Sequence, residues 1–156
     1  MTWTEVKDGI VVPARPQGIW TWVFDFVKGP ALIKVEATGS WSYSGGRRCG
    51  PDGDLNALVG AGHTILTEAP VGALLVKVGG STAGVGDGLV RVAGSAALVQ
   101  LDATVAGPIF LTINDEPSGL LDNDGELTVR ISIAQLADTA ATPPPAPAAP
   151  EPSAPA

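Results

Sequence analysis

The 156-residue chain has one cysteine, one histidine, one methionine and one tyrosine. A single Cys excludes an intrachain disulfide framework and a Cys-based zinc site. A single His excludes a His-rich metal centre and restricts the usual acid–base and triad chemistries. Basic residues are scarce too: Lys+Arg 9 stand against Asp+Glu 16, for a formal charge of −7 and a pI near 4.4. A nucleic-acid partner needs a concentrated basic surface, which this balance does not supply. Charged residues make up only 16% of the chain while apolar ones reach 45%, which excludes charge-driven disorder. Long hydrophobic runs are missing as well. Nothing approaches the roughly 18 apolar residues that cross a bilayer, and the N-terminus lacks the basic start and apolar stretch of a signal peptide. The expectation is a soluble protein, cytoplasmic as synthesised, with release or secretion by a non-classical route left open.

Glycine and proline are plentiful, at 20 and 14 residues. Half of the prolines lie in 143–156, where every residue is Pro or Ala except Glu151 and Ser153. Prolines remove backbone donors and favour extended polyproline II, so this stretch reads as a disordered tail or spacer. The division expected is one domain over 1–137 followed by a disordered Pro/Ala-rich tail over 138–156. Within the domain, short β-rich runs recur at 9–12, 19–27, 31–37, 71–78, 89–93, 97–102, 108–113 and 126–133. Leu127, Val129, Ile131 and Ile133 alternate with polar residues, and Ile109, Leu111 and Ile113 share a face opposite Phe110 and Thr112. Glycine-rich turns separate the runs. About eight short strands without a long amphipathic helix predict an all-β, antiparallel β-sandwich or jelly roll. Trp20, Trp22, Phe24 and Phe26 share a parity, for which core packing is the commoner use and sugar stacking the rarer.

Two long polar loops interrupt the pattern, at 40–69 and 114–125, and such loops carry function on rigid scaffolds. The second is followed at once by Glu126, and together they hold five carboxylates (Asp115, Glu116, Asp122, Asp124 and Glu126) and no base. Calcium, which takes six to eight oxygen ligands, would neutralise that crowding; a solvated hairpin loop is the other reading. An EF-hand is excluded: placing Gly125 at its sixth position puts Leu120 at the first and Ile131 at the twelfth, and neither can ligate calcium.

The pattern Asn114-Asp115-x-Pro117, then Asp122-Asn123-x-Gly125, resembles the signature loop of the bacterial galactophilic calcium-dependent lectins (PA-I galactophilic lectin-like). Trp3 and Val6, Ala37-x-Gly39, Ser42-Tyr43, Gly50-Pro51-x-Gly53-Asp54 and Gly72-Ala73-Leu74-x-Val76-Lys77-x-Gly79 follow the same family order, so the likeness covers about residues 2–133. It implies a small β-sandwich of the galactose-binding-like kind that binds terminal galactose-type sugars through vicinal hydroxyls on one Ca2+ per subunit. It further implies a homo-oligomer, a tetramer in that family, whose partners are galactose-containing glycans, and no enzymatic activity. The implied metal ligands are Tyr43 and Gly119 through backbone carbonyls and Asp115, Asp122 and Asn123 through side chains. Around the sugar the resemblance implies Tyr43, His63, Asp115, Glu116, Gly119 and Asp122.

Departures from the family pattern bear on specificity. Asp122 replaces Asn, Glu116 replaces an apolar residue beside the sugar ring, and Gly119 replaces Thr. The loop after Asp54 is longer and holds His63 but no Gln; Asp54 or Asn56 are alternatives to His63. Arg47-Arg48 reads as a solvated pair or a partner of the acidic loop, and Cys49 as a free, unreactive thiol. Two other functions compete with a lectin. One is a calcium-stabilised binding or structural module without sugar affinity. The other is a hydrolase using Asp115 and Glu116, ranked last because neighbouring residues at a strand end point apart.

Overall fold

The computed structural model describes residues 2–44, 47–55 and 64–136. His63, Asn56 and the expected tail at 138–156 lie outside these residues. Strands β1 (Thr4–Pro13), β2 (Thr21–Lys28), β3 (Ala31–Ser44), β4 (Arg47–Cys49), β5 (Leu74–Val78), β6 (Leu89–Val92), β7 (Ala96–Leu101), β8 (Ala106–Ile113) and β9 (Asp124–Gln135) follow in chain order. A 3-10 turn at Pro117–Asp122 separates the last two. The strands pair antiparallel in two sheets. One runs β1-β9-β3-β4, with β7 also on β3, and the other runs β2-β8-β5-β6.

Alternating side chains from both sheets meet between them. Ile33, Val35, Leu127, Val129 and Ile131 from the first sheet pack with Leu74, Val76, Ile109, Leu111 and Ile113 from the second. Each such side chain contributes roughly 1.5–3 kcal/mol by leaving water. The expected all-β sandwich is what the chain forms, and each of the eight expected runs overlaps a strand, those at 19–27 and 71–78 starting two or three residues before it.

Three local expectations need correction. The polar segment from Ser40 is not loop at its start: β3 continues to Ser44, because Ser40, Trp41 and Ser42 pair with Glu126, Gly125 and Asp124 of β9. The hairpin then returns through β4, with Trp41 opposite Cys49. The acidic loop likewise ends early, Asp124 and Gly125 being already in β9, and its middle is a 3-10 turn. Third, the aromatics of β2 do not form one core face. Val23 and Val27 fill the core while Trp22 and Phe26, of the opposite parity, are 54% and 58% exposed, and register shifts interrupt the ladder on either side of Phe24.

Both faces of the second sheet are covered. On its outer face Trp20, Leu75 and Phe110 form a small apolar cluster under Ile19, Ile65, Leu66 and Val90. Lys77, on the same face, is fully buried. Its Nζ donates to the Ser81 carbonyl at 2.6 Å, the Gly84 carbonyl at 2.7 Å and Asp87 Oδ1 at 2.5 Å, which uses all three ammonium protons. The rings of Trp20 and Phe110 lie 4.9 and 5.0 Å from the same nitrogen. The glycine-rich turn after β5 is thus wrapped around one buried cation.

Candidate functional site at the β8–β9 loop

Register places several loops at one end of the sandwich. Pro13 pairs with Glu126, Ser42 with Asp124, Thr21 with Leu111 and Leu74 with Ile113. Segments 14–20, 43–44, 47–55 and 64–73 therefore converge around 114–123, and β3 touches the 3-10 turn.

Asn114 anchors this end. It is fully buried; its Oδ1 accepts the Leu66 N–H at 2.9 Å, and its Nδ2 faces the carbonyls of Leu66, Ala69 and Pro70 at 2.9–3.1 Å. Its backbone N–H donates to Ala73 and its carbonyl accepts from Gly72. Asn114 thereby fixes the direction in which Asp115 leaves β8. Asn114→Ala would take the amide partner from the Leu66 N–H and the Ala69 carbonyl and is expected to cost about 3 kcal/mol in chemical denaturation.

The next residues are arranged differently. Asp115 Oδ1 accepts the Glu116 N–H at 2.7 Å, but Asp115 Oδ2 is buried with no hydrogen-bond partner among the described residues. Asn123, 4% exposed, donates its amide to the Ala14 carbonyl at 3.0 Å, while its Oδ1 is likewise buried and unpartnered. Burial pushes the Asp115 carboxyl above the usual carboxylate range. The Glu116 N–H and the nearby Asn123 side chain oppose that shift, and the Asp122 and Glu116 carboxylates add to it. Buried polar atoms in folded proteins are nearly always paired, so two orphaned oxygens from one loop call for an electrophile. The fit to a hard cation is chemical: a carboxylate oxygen and an amide oxygen are calcium-type donors, and a second carboxylate, Asp122, is close enough to act electrostatically on the first. No three carboxylate, thiol or imidazole groups converge on one point among the described residues; the donor set here mixes two carboxylates with an amide oxygen.

Glu116 and Asp122 are exposed and Gly119 is partly so. Ser118 Oγ donates to Glu116 Oε1 at 3.0 Å. Tyr43 is buried at the end of β3, and its hydroxyl donates to Asp54 Oδ2 at 2.7 Å. Burial, with Asp54 adding, raises the Tyr43 hydroxyl pKa, and Arg47 opposes the shift. The Tyr43 ring leans on Gly72, whose φ of +87° and contact with Cys49 Sγ leave no room for a side chain. Burial pushes the Cys49 thiol up to about 11, in keeping with an unreactive sulfur.

Two residues that sequence reasoning passed over, Ala14 and Arg15, also shape the site. Arg48 donates to the Ser40 carbonyl and hydroxyl instead of reaching the acidic loop. The arginine that does reach it is Arg15, whose Nη1 donates to the Leu121 carbonyl at 3.3 Å. Ala14, held by Asn123, also donates its N–H to Gly125. The β1–β2 connection thus forms one wall of the loop, a role with no signal in its sequence beyond Pro13 and Pro16.

The sequence matches no protein-family model and no curated protein. Among solved structures the chain is similar to the N-terminal domain of EclA, a PllA-like lectin. The match has a TM-score of 0.57 at 17% identity and covers 82% of this chain and 97% of that one. The fold is lectin-like. At that identity the likeness establishes architecture, and that neighbour is described as a lectin, not as an enzyme.

Proposed function

We propose that the chain is a calcium-dependent carbohydrate-binding protein that takes terminal galactose-type sugars at the 114–123 loop. The observation that carries this reading is the pair of buried, unpartnered oxygens, Asp115 Oδ2 and Asn123 Oδ1, set in a lectin-like fold. Asp115, Asn123 and Asp122 would hold the ion with side-chain oxygens, and Tyr43 and Gly119 would add backbone carbonyls. When bound, calcium supplies a fixed positive centre to which vicinal sugar hydroxyls coordinate without bond breaking. The exposed Asp122 and Glu116 carboxylates would accept hydrogen bonds from sugar hydroxyls. Asn114 holds the loop rigid, so little ordering is needed on binding. Shallow sugar sites are weak, and self-association, tetrameric in the resembling family, would recover avidity.

Calcium is expected to raise the melting temperature. At a hundredfold excess over its dissociation constant the stabilisation is about 2.7 kcal/mol, or roughly 5–10 °C for a chain of this size, and a chelator should reverse it. An unchanged melting curve would overturn the metal assignment. The second reading, a calcium-stabilised module without sugar affinity, is favoured by one feature. Glu116, where the resembling lectins carry an apolar side chain beside the sugar, is exposed and bonded to Ser118.

A further inference from the structure

Trp22 pairs with Phe110 across β2 and β8 and so lies on the outer face of the second sheet. The other aromatics of that face are buried: Trp20 is 1% exposed with its indole N–H on the Val85 carbonyl at 3.3 Å, and Phe110 is 2% exposed. Trp22 stays 54% exposed and borders a cavity of about 570 Å³ whose lining also includes Arg15, Gln17, Gly18, Thr21 and Thr82. That volume lies within the roughly 300–1,000 Å³ of small-molecule sites.

The cavity's other wall is pre-organised. The 14–20 segment is tied at one end by Ala14 N–H to the Gly125 carbonyl and by Asn123 to the Ala14 carbonyl. At the other end the N–H groups of Ile19 and Trp20 both donate to the Thr82 carbonyl. Arg15 belongs to this lining and also donates to Leu121, the residue before Asp122. Arg15 therefore links the cavity lining to the proposed calcium loop. An open indole ringed by a guanidinium, an amide and two hydroxyls, with no carboxylate in the lining, suits a sugar. A pyranose offers a C–H face to an aromatic ring and hydroxyls at its rim.

We infer that Trp22 and Arg15 form a second carbohydrate subsite, which holds an inner sugar unit of a glycan whose terminal residue sits at the 114–123 loop. The subsite rests on the proposed function and adds to it a preference for longer chains.

The test is calorimetry on the full chain in calcium, with methyl galactoside and with α- and β-linked galactose-terminated trisaccharides. Wild type, Trp22→Ala, Trp22→Phe and Arg15→Ala are compared. At least one trisaccharide is expected to bind about tenfold tighter than the monosaccharide, an advantage typical of one stacked ring with its burial. Trp22→Ala should abolish that advantage and leave monosaccharide affinity unchanged, Trp22→Phe should keep part of it, and Arg15→Ala should reduce it. No gain with chain length, or a gain that survives Trp22→Ala, overturns the subsite and leaves the calcium-loop reading standing. Failure of methyl galactoside itself to bind overturns the galactose reading, and the subsite with it. Melting curves confirm that the variants are folded, which the exposure of Trp22 leads one to expect.

Discussion

Asp115→Asn is expected to erase the calcium-induced rise in melting temperature while leaving the calcium-free protein at least as stable as wild type. The combination is unusual, since most substitutions at half-buried positions destabilise. It follows from the position of Asp115. Its carboxylate is partly withdrawn from water, has an orphaned oxygen, and lies beside the Asp122 and Glu116 carboxylates. Each of these penalises the charged form. An amide of the same shape keeps the Oδ1 acceptor for the Glu116 N–H and removes the charge, so the calcium-free loop loses a source of strain. Calcium then loses its main counter-charge, and the stabilisation of several degrees should vanish at millimolar metal. Asp122→Asn, at an exposed position, should weaken calcium less. A calcium-free Asp115→Asn protein much less stable than wild type would show that the carboxylate has a structural partner and would contradict this account.

Lys77→Met is expected to cost about 3 kcal/mol, or roughly 10 °C in melting temperature. Methionine fills the aliphatic space between Trp20 and Phe110 but leaves the Ser81 and Gly84 carbonyls without their donor and removes the cation from both rings. The pH dependence should change as well. The hydrogen bond from Lys77 holds the Asp87 carboxyl below its ordinary value, with desolvation opposing and Ser81 contributing. A depressed folded-state pKa means the unfolded chain binds more protons. That stabilisation is therefore complete above the ordinary carboxylate pKa of about 4 and is lost as pH falls through the lowered value. In Lys77→Met this part of the acid sensitivity should shrink. The part due to Asp102, lowered by the Thr104 hydroxyl and N–H, should remain. Denaturation between pH 2 and 7 measures both, and an unaltered acid limb would sink the pairing of Lys77 with Asp87.

The sandwich was legible in the sequence because strand alternation is a local signal. Leu127 through Ile133 announce their buried face residue by residue, and the structure buries each of them. Parity alone does not report what covers a face: Trp20 is buried on the outer face of the second sheet while Trp22 and Phe26, of the same parity, stay exposed. The acidic loop was visible as a density of charge, yet the atoms that distinguish it are Asp115 Oδ2 and Asn123 Oδ1, whose isolation depends on Asn114, Ala14 and the 64–70 segment. Ala14 is 109 residues from Asn123, and the 64–70 contacts are 44 to 48 residues from Asn114, and no spacing rule reports them. Lys77 likewise read as one polar position in an apolar strand. Its three acceptors come from a glycine-rich turn that looked like a mere connection. Gly125 shows the opposite case, a residue matched by pattern whose reason is steric. With φ at +86° and Arg48 and Trp41 packed against it, only glycine fits.

The central claim, that an oxygen-only cation site in the 114–123 loop orients a galactose-type sugar, is tested most directly by calorimetry with methyl galactoside in millimolar calcium and again in chelator. The account predicts a saturable heat in calcium that disappears with chelator and in Asp115→Asn. Binding that persists in chelator would contradict it, and so would calcium-loaded protein that takes no galactoside at millimolar concentration.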